Sequence, residues 1–197
     1  VVAAALLTFV FAWKQFHGLP DEWTVQQAEL GRQIAQGEGF TTLVIYPQTY
    51  AVLKARGVPF EEGRPYPELQ HAPLYPLVLA AVFAVLPESL WQHVAQPPGG
   101  WLPDYVVLAV NLLLFWLAVL QVWRLGARLF DERTAGVAAV ATAVSVTLWQ
   151  QTVVLSGWPL FAVLLLGAFQ VVVSLEERLA DEPALDRGLL LRVAALG

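Results

Sequence analysis

The 197-residue chain is 57% apolar and only 14% charged, with a mean hydropathy of +0.59, a balance that excludes an ordinary water-soluble domain. It has no cysteine, which removes disulfides, thiol catalysis and thiolate metal sites. The formal charge of -5 and the lack of a basic cluster leave nucleic acid outside the expected partners.

The chain opens within an apolar run, contains no methionine and closes just after another apolar run has started, so it reads as an internal fragment. Residues 1–16 are expected to be a truncated span. A secretory signal fits residues 1–13 less well, because a charged leading region is missing and no small-residue cleavage site follows. Residues 17–103 form a long outer region.

Within that region the stretch GLPDEWTVQQAELGRQIAQGEGF, residues 18–40, has the marks of an amphipathic helix. Pro20 sets the approach, Asp21 can cap the first free N–H groups, and Glu22 complements the positive end of the helix dipole. Trp23, Leu30 and Ile34 are expected to share one face, with Gln26, Glu29, Arg32 and Gln33 elsewhere, and Gly37 with Gly39 should stop the helix. On these residues alone, the Asp21–Glu22 pair is a helix cap.

Residues 72–86, APLYPLVLAAVFAVL, are apolar but too few for a comfortable crossing, and they carry Pro73, Pro76 and Pro87 at their ends. Arginine placement decides their position. If this segment lies in the outer interface, the connections holding Arg124, Arg128 and Arg133 and those holding Arg178 and Arg187 fall on the cytoplasmic face. The connections around residues 87–103 and 149–159, which hold no Lys or Arg, then fall outside. Trp91, Trp101 and Tyr105 are expected to mark the outer aromatic belt.

Residues 105–123 are uncharged between Asp104 and Arg124, long enough for one span. Residues 134–175 are also uncharged and are long enough for two, with a polar, breaking centre at WQQTVVLSGWP. Spans are therefore expected over 104–123, 134–150 and 158–175, and a further one begins at 188–197, interrupted by Arg192. The expected fold is all-α: a polytopic transmembrane helical bundle whose long outer loop carries amphipathic juxtamembrane helices.

The motifs DEWTVQQAELGRQIAQGEGFTT, QHAPLYPLVLA and RLGARLFDERTAGVAAVATA, in this order and spacing, resemble the amino-terminal half of polytopic GT-C glycosyltransferases. The likeness is to the protein mannosyltransferase and aminoarabinose transferase group and spans most of the chain. It implies sugar transfer from a polyprenyl-phosphate donor to a protein, lipid or glycan acceptor, on the outer side of a bacterial plasma membrane. It also implies an acidic residue of the first outer loop at the position of Asp21. A carboxylate there can take the proton of the attacking hydroxyl, so Asp21 is the first candidate for general base. Glu22 is a candidate for the same role or for orienting the acceptor. Gln70 and His71, at the start of the second outer helix, are candidates for binding the substrate, His71 through the phosphate.

Ala72 replaces a proline usual in that group, and LSGWPLF lacks an acidic residue that several members carry in the next outer connection. No cofactor is required by these residues, and a divalent metal is compatible with the chemistry. Two other classes compete. A transporter or flippase would carry ionisable groups or repeats within its spans, whereas these hold only Asn111, Gln121, Gln150, Gln151 and Gln170. A non-catalytic membrane subunit would use amphipathic helices to bind a partner, but has no need of adjacent carboxylates.

Overall fold

The computed structural model describes residues 8–10, 12, 14, 16, 18–19, 22–43, 47–57, 65–68, 70–87, 90–91, 102–154 and 156–181. Helix dominates: α1 is Glu22–Ala35, α2 Pro47–Ala55, α3 Leu74–Val85, α4 Leu102–Leu129, α5 Glu132–Ala143, α6 Val146–Val153 and α7 Trp158–Asp181. The two short strands, β1 (Thr41–Thr42) and β2 (Tyr66–Pro67), pair antiparallel, with Thr41 opposite Pro67 and Thr42 opposite Tyr66. This ladder closes the base of the excursion that carries α2.

Two stretches are long and apolar enough to cross a membrane, Pro103–Leu129 in α4 and Trp158–Leu179 in α7. At 1.5 Å per residue, α4 is about 42 Å long and α7 about 36 Å, against a hydrocarbon core of about 30 Å. Only 11% of the most apolar window of α7 is buried, so Leu164, Leu165, Phe169, Val171 and Val172 form an outward hydrocarbon face. A water-soluble helix would hide such a face.

Residues 134–150 do not form the single helix expected of them. They divide between α5 and α6, with the break at Val144 and Ser145. Asp131 starts α5, its carboxylate accepting from the Thr134 N–H at 2.6 Å. Near the other end the Thr142 hydroxyl donates back to the Ala138 carbonyl at 2.8 Å, a contact that favours bending. Ser145 is extended, and Trp149 Nε1 donates to the Ala143 carbonyl at 2.7 Å, which satisfies a group freed by the break.

The broken pair still runs back along α4. Gly126 meets Ala135 so closely that an added Cβ would lie 3.0 Å from the Ala135 Cα, and farther along Trp149 packs on Phe115 at 5.7 Å between ring centroids. Helix α7 then returns beside α4, with Arg128 donating to the Ser174 hydroxyl at 2.8 Å. Arg124, Arg128, Arg133 and Arg178 thus gather at one end of the helices, and Arg187, grouped with them in the sequence, lies outside the described residues.

The opposite end carries a layer built from α1 and α3. Gly31 is the seam: a Cβ there would stand 2.8 Å from the Leu79 Cβ and 3.3 Å from the Pro76 carbonyl. Because Trp23 lies on His71 and Gly31 lies on Pro76 and Leu79, the two helices run side by side in the same direction. Helix α3, 12 residues and about 18 Å long, is too short to cross the core. It packs through Leu79 and Phe83 into a core with Ala28, Val107, Leu108 and Leu112. The Tyr75 hydroxyl donates to Asn111 Oδ1 at 3.1 Å, and burial pushes its phenol well above the usual range, so it remains a donor.

Two sequence expectations change here. Trp91 is no belt residue: it is 3% exposed, packs on Phe83 and donates to the Leu86 carbonyl. Trp101 lies outside the described residues, and Tyr105 packs edge-on against Phe16. In α1 the apolar face is divided, because Leu30 is fully buried while Trp23 is half exposed. Gln26, Gln27, Arg32 and Gln33 are buried. The helix is sandwiched between protein surfaces, and on its polar side Glu29 accepts from Arg32 and Gln33.

Candidate functional site

The mouth of α1 is where the sequence placed its candidate carboxylates. Asp21 lies outside the described residues; Glu22 is the first residue of α1 and is exposed. Its neighbour Trp23 stacks on the His71 ring with centroids 4.1 Å apart and a 45° tilt. One turn position later, the Thr24 hydroxyl donates to the Val154 carbonyl at 3.0 Å, tying α1 to the turn between α6 and α7.

His71 is drawn inside, its side chain fully buried, whereas Gln70 is exposed. His71 Nδ1 lies 3.5 Å from Glu68 Oε1, and among the described residues neither ring nitrogen has a hydrogen-bond partner. The same Glu68 oxygen accepts from the Gln70 backbone N–H at 2.5 Å. Gln70 therefore contributes its backbone to the frame, and its side chain faces outward.

Beside this frame is an open depression of about 330 Å³ lined by Trp23, Ser156, Gly157, Trp158 and Phe161. Trp158 and Phe161 meet edge to face at 5.7 Å, and Gly157 sits against the Tyr75 ring. Starts of α1, α3 and α7 are thus brought to one corner. The first N–H groups of a helix carry partial positive charge, and Pro73 supplies no side-chain cap to those of α3.

A second polar group borders the approach to α1. Asp104, in the first turn of α4, is 8% exposed, and its Oδ2 lies against Gly18, 3.5 Å from where a Cβ there would stand. On α1, the Arg32 Nε and Nη2 atoms donate to Glu29 Oε2 at 3.0 and 2.7 Å. Gln33 donates to the other Glu29 oxygen at 2.9 Å. Among the described residues, no three His, Asp or Glu side chains gather closely enough to hold a metal ion.

Sequence reasoning missed Glu68, Asp104 and the Thr24–Val154 tie. Asp104 was visible only as the charge that bounds an apolar run, and Glu68 as a loop acid three residues before His71. The SGWP break was legible, but its position against α1 depends on a contact across 130 residues.

No protein-family model matches the chain, and no curated protein or solved structure is detectably similar to it.

Proposed function

We propose that this chain contributes the donor and acceptor corner of a membrane glycosyltransferase of the GT-C kind, moving a sugar from a polyprenyl-phosphate donor to an acceptor outside the membrane. The observation that carries this reading is the placement of the α1 mouth, with Glu22 exposed, beside buried His71 and an aromatic-lined depression. That corner lies at the end of the apolar helices opposite the arginines. In this reading the arginine end is cytoplasmic, and α5 with α6, together about 30 Å long, makes a third crossing.

Each part has a chemical task. Asp21, or Glu22 beside it, accepts the proton of the acceptor hydroxyl as its oxygen attacks the anomeric carbon. The bond from that carbon to the phosphate oxygen breaks, and the polyprenyl phosphate leaves with the bonding electrons. The converging starts of α1 and α3 favour its negative charge, and His71, fully buried, supports the Trp23 ring beside it. The half-exposed rings of Trp23 and Trp158 offer flat apolar faces on which a sugar can lie. The broken α5–α6 pair is the feature closest to a transporter, but no ionisable side chain lies at its break.

The deciding measurement is transfer by the intact protein in membranes, with a polyprenyl-phosphate sugar as donor. Asp21→Asn keeps a capping side chain, so insertion should persist, while the rate falls on the order of a hundredfold to ten-thousandfold. Glu22→Gln should cost less. Near-normal transfer by an Asp21→Asn, Glu22→Gln double variant would remove the carboxylates from catalysis and with them this reading.

A further inference from the structure

We infer that Thr24 is a positioning residue: its hydroxyl ties the start of α1 to the end of α6 and so sets the gap between the Trp23 and Trp158 rings in which the sugar lies. This role rests on the glycosyltransferase reading above. The depression is assembled from two distant parts of the chain. Trp23 comes from α1, Ser156 and Gly157 come from the turn before α7, and Trp158 and Phe161 come from α7 itself. Trp23 directly precedes Thr24, and Ser156 follows Val154 by two residues. The bond from the Thr24 hydroxyl to the Val154 carbonyl, 3.0 Å long, therefore crosses between the two parts. Helix α1 packs broadly on α3, whereas neither α6 nor α7 lies broadly against it. The gap accordingly depends on local ties.

Thr24 is 2% exposed, which keeps water from competing for its hydroxyl. Val154 closes α6, and the last carbonyls of a helix have no partner within it. Thr24 supplies one for Val154, and the Ser156 hydroxyl donates to the Gln151 carbonyl at 3.1 Å. Each part is also supported from behind. Trp23 stacks on His71, and Gly157 rests on Tyr75, where an added Cβ would stand 3.6 Å from the Tyr75 Cβ and Cγ. The Tyr75 hydroxyl is in turn held by Asn111. These supports seat each part separately, and Thr24 joins them. The space between, about 330 Å³, is at the small end of ligand pockets and suits one sugar unit rather than a chain of them. With its proton engaged by Gln151, the Ser156 oxygen is left as an acceptor for a sugar hydroxyl.

The test measures kcat and KM for a polyprenyl-phosphate sugar donor, with membrane abundance, in the intact protein. Thr24→Val keeps the side-chain shape and removes the donor. It should raise KM roughly twofold to tenfold, the range set by the net worth of one hydrogen bond, with kcat little changed. Thr24→Ala takes its place if Thr24→Val does not accumulate. Thr24→Ser restores the hydroxyl and should return KM close to the native value. Trp23→Leu should raise KM by itself, and adding Thr24→Val to it should raise KM no further, because one wall of the gap is already gone. The chain has no cysteine, so spin labels on single cysteines at exposed Glu22 and Gln151 report the separation directly. Their distance distribution should broaden in Thr24→Val and narrow again in Thr24→Ser. Unchanged KM in Thr24→Val, no recovery in Thr24→Ser, or a full additional rise in the Trp23→Leu background would each overturn the inference. The function reading fails by a separate result, normal transfer by the Asp21→Asn, Glu22→Gln variant, and the role of Thr24 toward the sugar then falls with it.

Discussion

In α1 the side chains of Gln26, Arg32 and Gln33 are buried, whereas in α7 Leu164, Phe169 and Val172 face outward. Both helices reverse the arrangement of a surface helix in water, for different reasons. Helix α7 is long and apolar enough to cross a membrane, where hydrocarbon would take the place of a protein partner for that side. Helix α1 buries polar side chains, at a cost unless they are paired, and Glu29 takes both Arg32 and Gln33. The difference separates two regions by chemistry: one with helices long and apolar enough to cross a membrane, and one that buries polar side chains.

That comparison breaks most completely if the two ends do not lie on opposite sides of a membrane. The chain has no cysteine, so single cysteines report cleanly. Cysteines placed at exposed Gln70 and at Ser156 should react with an impermeant reagent from outside, and one at Thr134, in the first turn of α5, should react only after permeabilisation. Labelling of positions 70 and 134 from the same side would overturn the assignment.

A smaller, graded effect sharpens it. Phe83→Ala removes a fully buried ring that touches Trp91, and should cost about 3 to 5 kcal/mol of stability. Phe169→Ala on the outward face of α7 removes a half-exposed ring and should stay within about 0.5 kcal/mol. Thermal unfolding in one detergent measures both; equal losses would mean that α7 packs against protein.

The smallest effect lies at the arginine end. The Asp131 carboxylate, accepting from the Thr134 backbone N–H, is held below the usual carboxylate range. Its folded pKa is the lower one, so its contribution is present above the unfolded value of about 3.9 and is lost as pH falls through the folded value. The melting temperature of the native protein should exceed that of Asp131→Ala at pH 6, with the gap closing in acid. A gap that stayed constant or widened toward low pH would contradict the cap.

Local signals in the sequence carried the helices well where composition alone decides them. Gly37 and Gly39 mark the end of α1, which stops at Ala35, and the uncharged run after Asp104 lies within α4. The break between α5 and α6 was hidden, since Thr142 and Ser145 are ordinary in apolar helices and the bond from Trp149 to the Ala143 carbonyl is visible only in three dimensions. Trp91 and Trp23 show the same limit for side chains. One looked like a boundary residue and is core; the other looked like an apolar-face residue and is half open over His71. For the candidate site, the sequence located the α1 mouth and His71, but not Glu68 or Asp104, because their meaning lies in which backbone and ring they face.

The tie from Thr24 to Val154 also has a consequence for how the protein is made. Helices α4 and α5 are joined by a short turn and meet through Gly126 and Ala135, nine positions apart, so their hairpin can form while synthesis is under way. The mouth of α1 instead waits for a residue 130 positions downstream. Until the ribosome has delivered the turn between α6 and α7, the nascent chain carries Glu22 and Trp23 without the bond that ties their helix to it.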